Sequence, residues 1–278
     1  MIRGFWQSRL AAAVVAALSV AVAAAVWIRD QGYPVYVPVL ASAMTLAIGL
    51  IAARLLGSMI ANLQNTKALG LLHVDLDPRR FTAVYEKVPP RLKKSGKSYV
   101  LACAYLADGY AASGEFDKAE RALCPPEEGG YADDAALKSL YYNNRCAYAL
   151  GAGRTEAAEA AADALERTLD GARAKNPGLV GNMEQSLRLR RNHLAVMRGE
   201  AAERTWLAAE MEQAPYRLRR LEAAMVLAWD ALNQRDMGSA RKYLDVLKEE
   251  GGNTYYRGWA EQYGEAGPGS EGRTFKSL

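Results

Sequence analysis

Residues 10–28 and 31–53 contain no Asp, Glu, Lys or Arg, and these two runs limit what the rest of the chain can be. At about 1.5 Å per helical residue, each is long enough to cross the roughly 30 Å hydrocarbon layer of a bilayer. Nearly every charged residue lies after Arg54, so a polar, soluble part follows the two runs. The expectation is a two-helix transmembrane hairpin in residues 1–56, with helices at about 10–28 and 37–54 and a turn built on Gly32 and Pro34. Trp6, Trp27, Tyr33 and Tyr36 stand at its ends, where amphipathic rings settle at membrane interfaces. The rival reading is a cleaved secretory signal. Arg3 and Arg9 would supply its positive start and Ala23, Ala24 and Ala25 its cleavage site, but the apolar run exceeds the roughly 7–15 residues of a signal core. Arg3, Arg9, Arg54 and Lys67 flank the hairpin, whereas its turn has only Arg29 beside Asp30. The positive-inside tendency then predicts a multi-pass protein of the plasma (inner) membrane with both termini cytoplasmic.

Beyond the membrane runs, residues 99–123 read YVLACAYLADGYAASGEFDKAERAL. Leu106 and Tyr110 are four apart on one helical face, Gly114 breaks the helix, and Ala119 and Leu123 are four apart on the next face. This is the pattern of two short antiparallel helices, with Ala119 small enough to let them approach. The plan returns in residues 142–169, where Cys146 and Ala149 precede Gly153 and Ala158 and Ala162 follow it, with Thr155 as the expected cap. It returns again in residues 179–211 about Gly199, and in residues 216–247, where Arg235 stands at the turn and Asp236 is placed to cap the second helix. The turns recur at about 36 to 46 residues, a solenoid-like period. Before them, Asp77 and Pro78 open a helix whose predicted apolar stripe is Phe81, Val84, Tyr85 and Val88, ended by Pro89 and Pro90. After them, residues 253–263 carry Tyr255, Tyr256, Trp259 and Tyr263 as a cap for the open end or a docking patch. Residues 265–278, rich in Gly and Ser, read as a flexible tail.

The residues Leu106, Ala107, Tyr110, Gly114, Ala119 and Leu123 resemble the tetratricopeptide repeat (TPR), whose pattern runs Leu, small, Tyr, turn, Ala, bulky apolar. Cys103 stands where that family has Trp, Ala107 replaces its first Gly, and its closing Pro is missing, so the repeats are degenerate. The combination of a membrane hairpin, an Asp-Pro-begun helix and helical repeats is also similar to a group of bacterial membrane-anchored TPR proteins. The resemblance implies an all-α fold in which residues 98–264 form a TPR-like right-handed stack of helical hairpins, joined to the membrane by a connector over residues 57–97 with one helix. It further implies that the first helix of each pair lines a partner-binding groove, which points to Asp108, Asn143, His193 and Trp229. Arg188 with Arg191, and Arg217 with Arg220, each three apart on their helix, add basic pairs suited to an acidic partner or a lipid headgroup, although Glu184 four before Arg188 and Glu222 three after Arg219 suit ordinary solvated faces.

A formal net charge of +4 with the membrane-proximal arginines included gives no reason to expect nucleic acid. Three cysteines at irregular spacing are no disulfide framework. Cys103 and Cys146 fall on apolar faces, and Cys124 is the one expected to be reachable. His73, Asp75 and Asp77 alternate as metal ligands on a strand would, but the run reads equally well as a helix end followed by a cap, so no metal or cofactor is expected. No nucleophile elbow, zinc helix or phosphate loop occurs, and two isolated histidines offer no acid–base pair. The expectation is therefore a non-catalytic, membrane-anchored cytoplasmic scaffold that recruits a protein partner to the bilayer. The alternative is a small oligomeric membrane transport or channel accessory subunit. The Ala-rich first helix permits a homo-oligomer in either case.

Overall fold

The structure, a computed structural model, describes residues 16, 18–32, 34, 36–94, 96–128 and 130–265; these are helices joined by turns, with no strand among them. The chain divides into two compact units, Met1–Lys67 and Ala68–Leu278. Trp6, Tyr33 and the tail at 266–278 lie outside the described residues, as does the beginning of the first expected span.

In the first unit, helix α1 covers residues 18–30, and Gly32, with φ of 78°, turns the chain into α2, Tyr36–His73. Residues 39–56 of α2 are the one stretch among the described residues long and apolar enough to cross a membrane, and none of it is buried in protein. Val39, Leu40, Met44, Ile48, Ile51 and Leu55 are all exposed. The helix does not stop near residue 54 but continues to His73, because no proline lies between Pro38 and Pro78 to break it. The expected connector is thus helical over its first 17 positions, residues 57–73.

The second unit begins with the last turns of α2, which dock Ala68 and Leu72 against Phe81 and Tyr85 of α3, Pro78–Tyr85. Asp77 caps α3 by accepting a hydrogen bond from the Arg80 N–H at 3.1 Å, and Pro78 sits in its first turn as expected. The buried face runs through Phe81, Thr82 and Tyr85, however, and Val84 is turned to solvent. Eight residues make barely two turns, so one buried ridge exhausts what the helix can cover.

Four helix pairs follow: α4 and α5 (Lys97–Ala112, Phe116–Ala122), α6 and α7 (Ala135–Gly151, Thr155–Ala172), α8 and α9 (Pro177–Met197, Arg204–Gln213), and α10 and α11 (Arg217–Asn233, Met237–Glu250). A single helix, α12 (Tyr255–Glu265), ends the series. The four intervening turns are built alike. Gly114, Gly153, Gly199 and Arg235 all take left-handed backbone, with φ of 82°, 75°, 78° and 58°. At each, the next residue donates its N–H back across the turn, from Glu115 to Tyr110 O, Arg154 to Ala149 O, Glu200 to Ala195 O and Asp236 to Ala231 O, at 2.8–2.9 Å. This is the Schellman closure, which satisfies helix-end carbonyls that would otherwise lack donors. Asp236 caps α11 through the Ser239 N–H, but Thr155 is the first residue of α7 and not its cap. Arg154 holds the cap position without a side-chain bond to the helix.

Each first helix lies against the next first helix, in the order α4, α6, α8, α10, α12, while each second helix packs on the first helix of the following pair. The third pair is splayed, with α9 leaning on α10 more than on its own partner α8. Helix α10 is enclosed nearly all round: Leu221, Ala223, Ala224, Val226, Leu227 and Ala228 are at most 1% exposed. Each Leu or Val so covered contributes about 1.5–3 kcal/mol. The end of this unit comes back to its beginning. The Asn253 N–H donates to Leu76 O at 3.0 Å, the Arg217 guanidinium to Val74 O at 3.1 Å, and the Tyr255 ring meets Phe116 edge to face at 5.0 Å.

Candidate functional site

The first helices carry a line of polar side chains on their inner faces. Asp108 on α4 accepts hydrogen bonds from Asn144 Nδ2 at 2.9 Å and from the Tyr148 hydroxyl at 2.6 Å, both on α6. Asn143 donates to Asn144 Oδ1 at 3.1 Å and accepts from Arg190 Nε of α8 at 3.2 Å. Arg190 in turn pairs with Glu222 of α10, both side chains nearly enclosed. Beside this pair, Arg219 is bound by Glu210 at 2.7 Å, Ser186 Oγ at 3.2 Å and Gln185 O at 3.1 Å. One hydrogen-bonded ladder therefore ties all four pairs together, and within it each buried charge has a partner, which is the condition for tolerating charge in a low-dielectric interior.

Burial sets the electrostatics of the ladder. Loss of water raises the Asp108 carboxyl to about 6, against the pull of the Tyr148 hydrogen bond and the Arg190 charge. The same loss, with Arg190 nearby, pushes the His193 imidazole down to about 3. His193 is 3% exposed, and neither ring nitrogen has a hydrogen-bond partner among the described residues; its neighbour is the Trp229 ring, at 5.9 Å. Tyr255 and Tyr256 of α12 lie close enough to Arg190 to feel its charge.

Of the six residues expected to form a partner-binding groove, Asp108, Asn143, His193 and Trp229 sit on first helices; Asp108, Asn143 and Trp229 are partly exposed, whereas His193 is enclosed. His193 has no surface for a partner to touch. Arg188 and Arg191 do not join them. Arg188 pairs with Glu203 and lies over the Trp206 ring at 4.6 Å, while Arg191 bridges Asp163 at 2.6 Å and Glu166 at 2.9 Å. Arg217 and Arg220 are likewise used internally, on backbone carbonyls and on Glu250. Arg219, which reads as a member of a solvated face, is buried, and its neighbour Glu222 is largely covered.

Open space lies elsewhere, in a cavity of about 560 Å³ between the α4–α5 turn, the α6–α7 turn and α12. Phe116, Tyr255 and Trp259 supply its aromatic wall. Trp259 is 4% exposed and its indole N–H has no hydrogen-bond partner among the described residues. Lys118, Arg121 and Arg154 supply cations, and Glu115 and Asp117 carboxylates. Lys118 pairs with Glu115 at 3.1 Å, and Arg154 with Asp117 at 3.3 Å and Glu120 at 3.0 Å. Arg121 is exposed and has no ion pair among the described residues. Sequence reading offered Tyr255 and Trp259 as part of a cap or docking patch but missed the facing wall, which lies more than 100 positions away; the signal present there was Phe116, an aromatic placed just after a turn.

Among the described residues no group of three His, Cys, Asp or Glu could hold a metal. The His73 ring lies against Tyr216 at 4.8 Å, and Asp77 is engaged as a cap. Cys103 and Cys146 are buried, and burial raises the Cys146 thiol to about 11, so neither is reactive; Cys124 is only partly covered. No protein-family model, curated protein or solved structure matches the chain.

Proposed function

We propose that the protein is a non-catalytic adaptor of the bacterial inner membrane: a two-helix transmembrane hairpin holds a TPR-like, right-handed stack of helical hairpins at the cytoplasmic face, and the stack recruits a protein partner to the bilayer. The observation that carries this reading is the uncovered apolar stretch at residues 39–56, followed in the same chain by an ordered array of helix pairs. An apolar helix with no protein cover needs another apolar phase, and lipid supplies one. Tethering then raises the local concentration of the array at the surface and turns partner capture into a two-dimensional encounter. The recurrence of one turn geometry at four places supports the repeat reading, because identical closures are what stacked hairpins of one family need.

Two measurements on cells test it. Alkaline extraction should leave the chain in the membrane pellet, and Glu249→Cys, on an exposed site of α11, should react with a membrane-impermeant maleimide only after the membrane is opened. Release into the alkaline supernatant, or labelling of intact cells, would overturn the topology. Photocrosslinking within membranes should yield a defined heterologous product; homo-oligomers alone would favour the transport alternative.

A further inference from the structure

We propose that the cavity between the α4–α5 and α6–α7 turns and α12 is the partner's docking site, and that it takes an acidic segment anchored by one bulky apolar side chain. This rests on the adaptor reading and gives its partner a chemistry. Four observations converge on it.

The volume, about 560 Å³, falls within the roughly 300–1,000 Å³ of ligand pockets. The space exists because α12 presents bare backbone to it. Gly258 lines the cavity and a Cβ built there would meet nothing within 4 Å, so a larger side chain would take up part of the open space. On the opposite side Gly151 lets the Phe116 ring lie directly on the end of α6, where a methyl group would collide with the ring. The wall so made exposes Phe116 and Tyr255, edge to face, with Trp259 almost wholly enclosed beside them, and is the kind of rigid aromatic pocket into which a partner's anchor residue inserts.

Charge then selects the anchor's neighbours. Three cations line the cavity against two carboxylates, and the two carboxylates are committed to Lys118 and Arg154. Arg121 is left over, exposed and uncompensated, within reach of whatever enters. An apolar anchor flanked by Asp or Glu satisfies the aromatic wall and this guanidinium together, whereas a basic neighbour would be repelled.

The test uses the detergent-solubilised full chain as bait for a phage library of random heptapeptides. Selected peptides should carry a single Phe, Trp or Leu flanked by Asp or Glu, and their affinity should fall as salt is raised. A synthetic peptide of the selected sequence should bind at least tenfold more weakly to Gly258→Leu, which narrows the cavity, and to Arg121→Glu, which reverses its free charge. Gly258→Leu replaces a helical glycine with a better helix former over open space, so its helicity and melting temperature should match or exceed those of the parent chain. Selection of peptides without an acidic and apolar pattern, or binding unchanged in either variant, overturns the proposal. The two readings fail separately. A chain released by alkali that still selects these peptides retains the pocket and loses the membrane anchor, and a membrane-bound chain whose crosslinked partner is indifferent to Gly258→Leu does the reverse.

Discussion

Replacing His193 with Leu should make the protein more stable at neutral pH and less sensitive to mild acid. The imidazole is enclosed beside Trp229 with both nitrogens unpaired. A buried polar group without a partner costs about 1–3 kcal/mol, and an apolar side chain of similar size removes that cost. The pH term is larger. With its folded value near 3 against 6.5 for the free group, His193 stays neutral in the fold while the unfolded chain takes up a proton below pH 6.5. Stability is therefore lost as pH falls, by about 1.4 kcal/mol per pH step, or about 2 kcal/mol between pH 6.5 and 5. Asp108 acts in the opposite sense. Its folded value of about 6 lies above the free 3.8, so the folded chain binds the proton first and gains at most about 1.4 kcal/mol between pH 6 and 5. Burial also lowers the His73 imidazole, which costs stability in mild acid in both proteins, so from pH 7.5 to 5 the Leu variant should lose less stability than the parent chain. Urea unfolding of the detergent-solubilised chain, followed by tryptophan fluorescence and circular dichroism at both pH values, reads the difference. Carboxylates held low by ion pairs, such as Glu203 and Asp134, contribute equally to both proteins and cancel. Parallel pH profiles for the two proteins would refute the reasoning, since they would mean that the imidazole is protonated or solvated in the fold.

Arg235→Gly should raise stability by about 0.5–1 kcal/mol, because it relieves a left-handed backbone that the other three turns give to glycine; Gly153→Ala should cost about 1 kcal/mol by the same account, both read as shifts in urea midpoint. Gly109→Ala should cost about 1–3 kcal/mol, since a Cβ there would lie 2.5 Å from Phe81 Cδ1 and 2.8 Å from Thr82 Cγ2 and would force α3 away from α4; loss of hydrogen-exchange protection confined to α3 and α4 is the check. Arg190→Met should cost about 3–5 kcal/mol by leaving Glu222 buried and unpaired, whereas Arg190→Met with Glu222→Leu should recover most of that loss; strictly additive costs in a double-mutant cycle would contradict the pairing.

The turns were legible in the sequence because each depends on a single residue whose backbone preference is local. Gly114, Gly153 and Gly199 announce a left-handed position by themselves, and Arg235 could be placed by its spacing from them. The Asp77 and Asp236 caps were readable for the same reason. Thr155 misled because a hydroxyl at a helix start can serve as the cap or as the first helical residue, and the competing Arg154 is drawn to Asp117 and Glu120 on the neighbouring pair. Val84 misled because a two-turn helix shows too little of its period to fix a face. What stayed hidden was every feature that needs two distant segments at once. Glu222 lies three residues from Arg219, which in an isolated helix reads as a solvated pair, yet the two point to different neighbours, Arg190 and Glu210. The cavity joins residues from the α4–α5 turn to others on α12, and no local pattern encodes its existence.

The pairing within the ladder bears on how such a stack could recruit anything. A groove lined by unsatisfied polar groups would be open to exchange with a partner's backbone, but here the ladder from Asp108 to Glu222 spends its donors and acceptors inside the chain. Displacing α12 to expose it would strip cover from Tyr256, Trp259 and Ala260 and leave a line of buried charge facing water and apolar surface alike. Opening therefore costs the burial of three residues before any new contact forms, about 4 kcal/mol or more at the usual rate for large side chains. A site at the turns carries no such cost. Its aromatic wall is already assembled, and the closures that hold Phe116 and Arg154 in place are the same Schellman bonds that end α4 and α6. The geometry that terminates two helices thus also fixes the two sides of the cavity, so a partner that binds there meets a preformed surface and loses little to reorganisation.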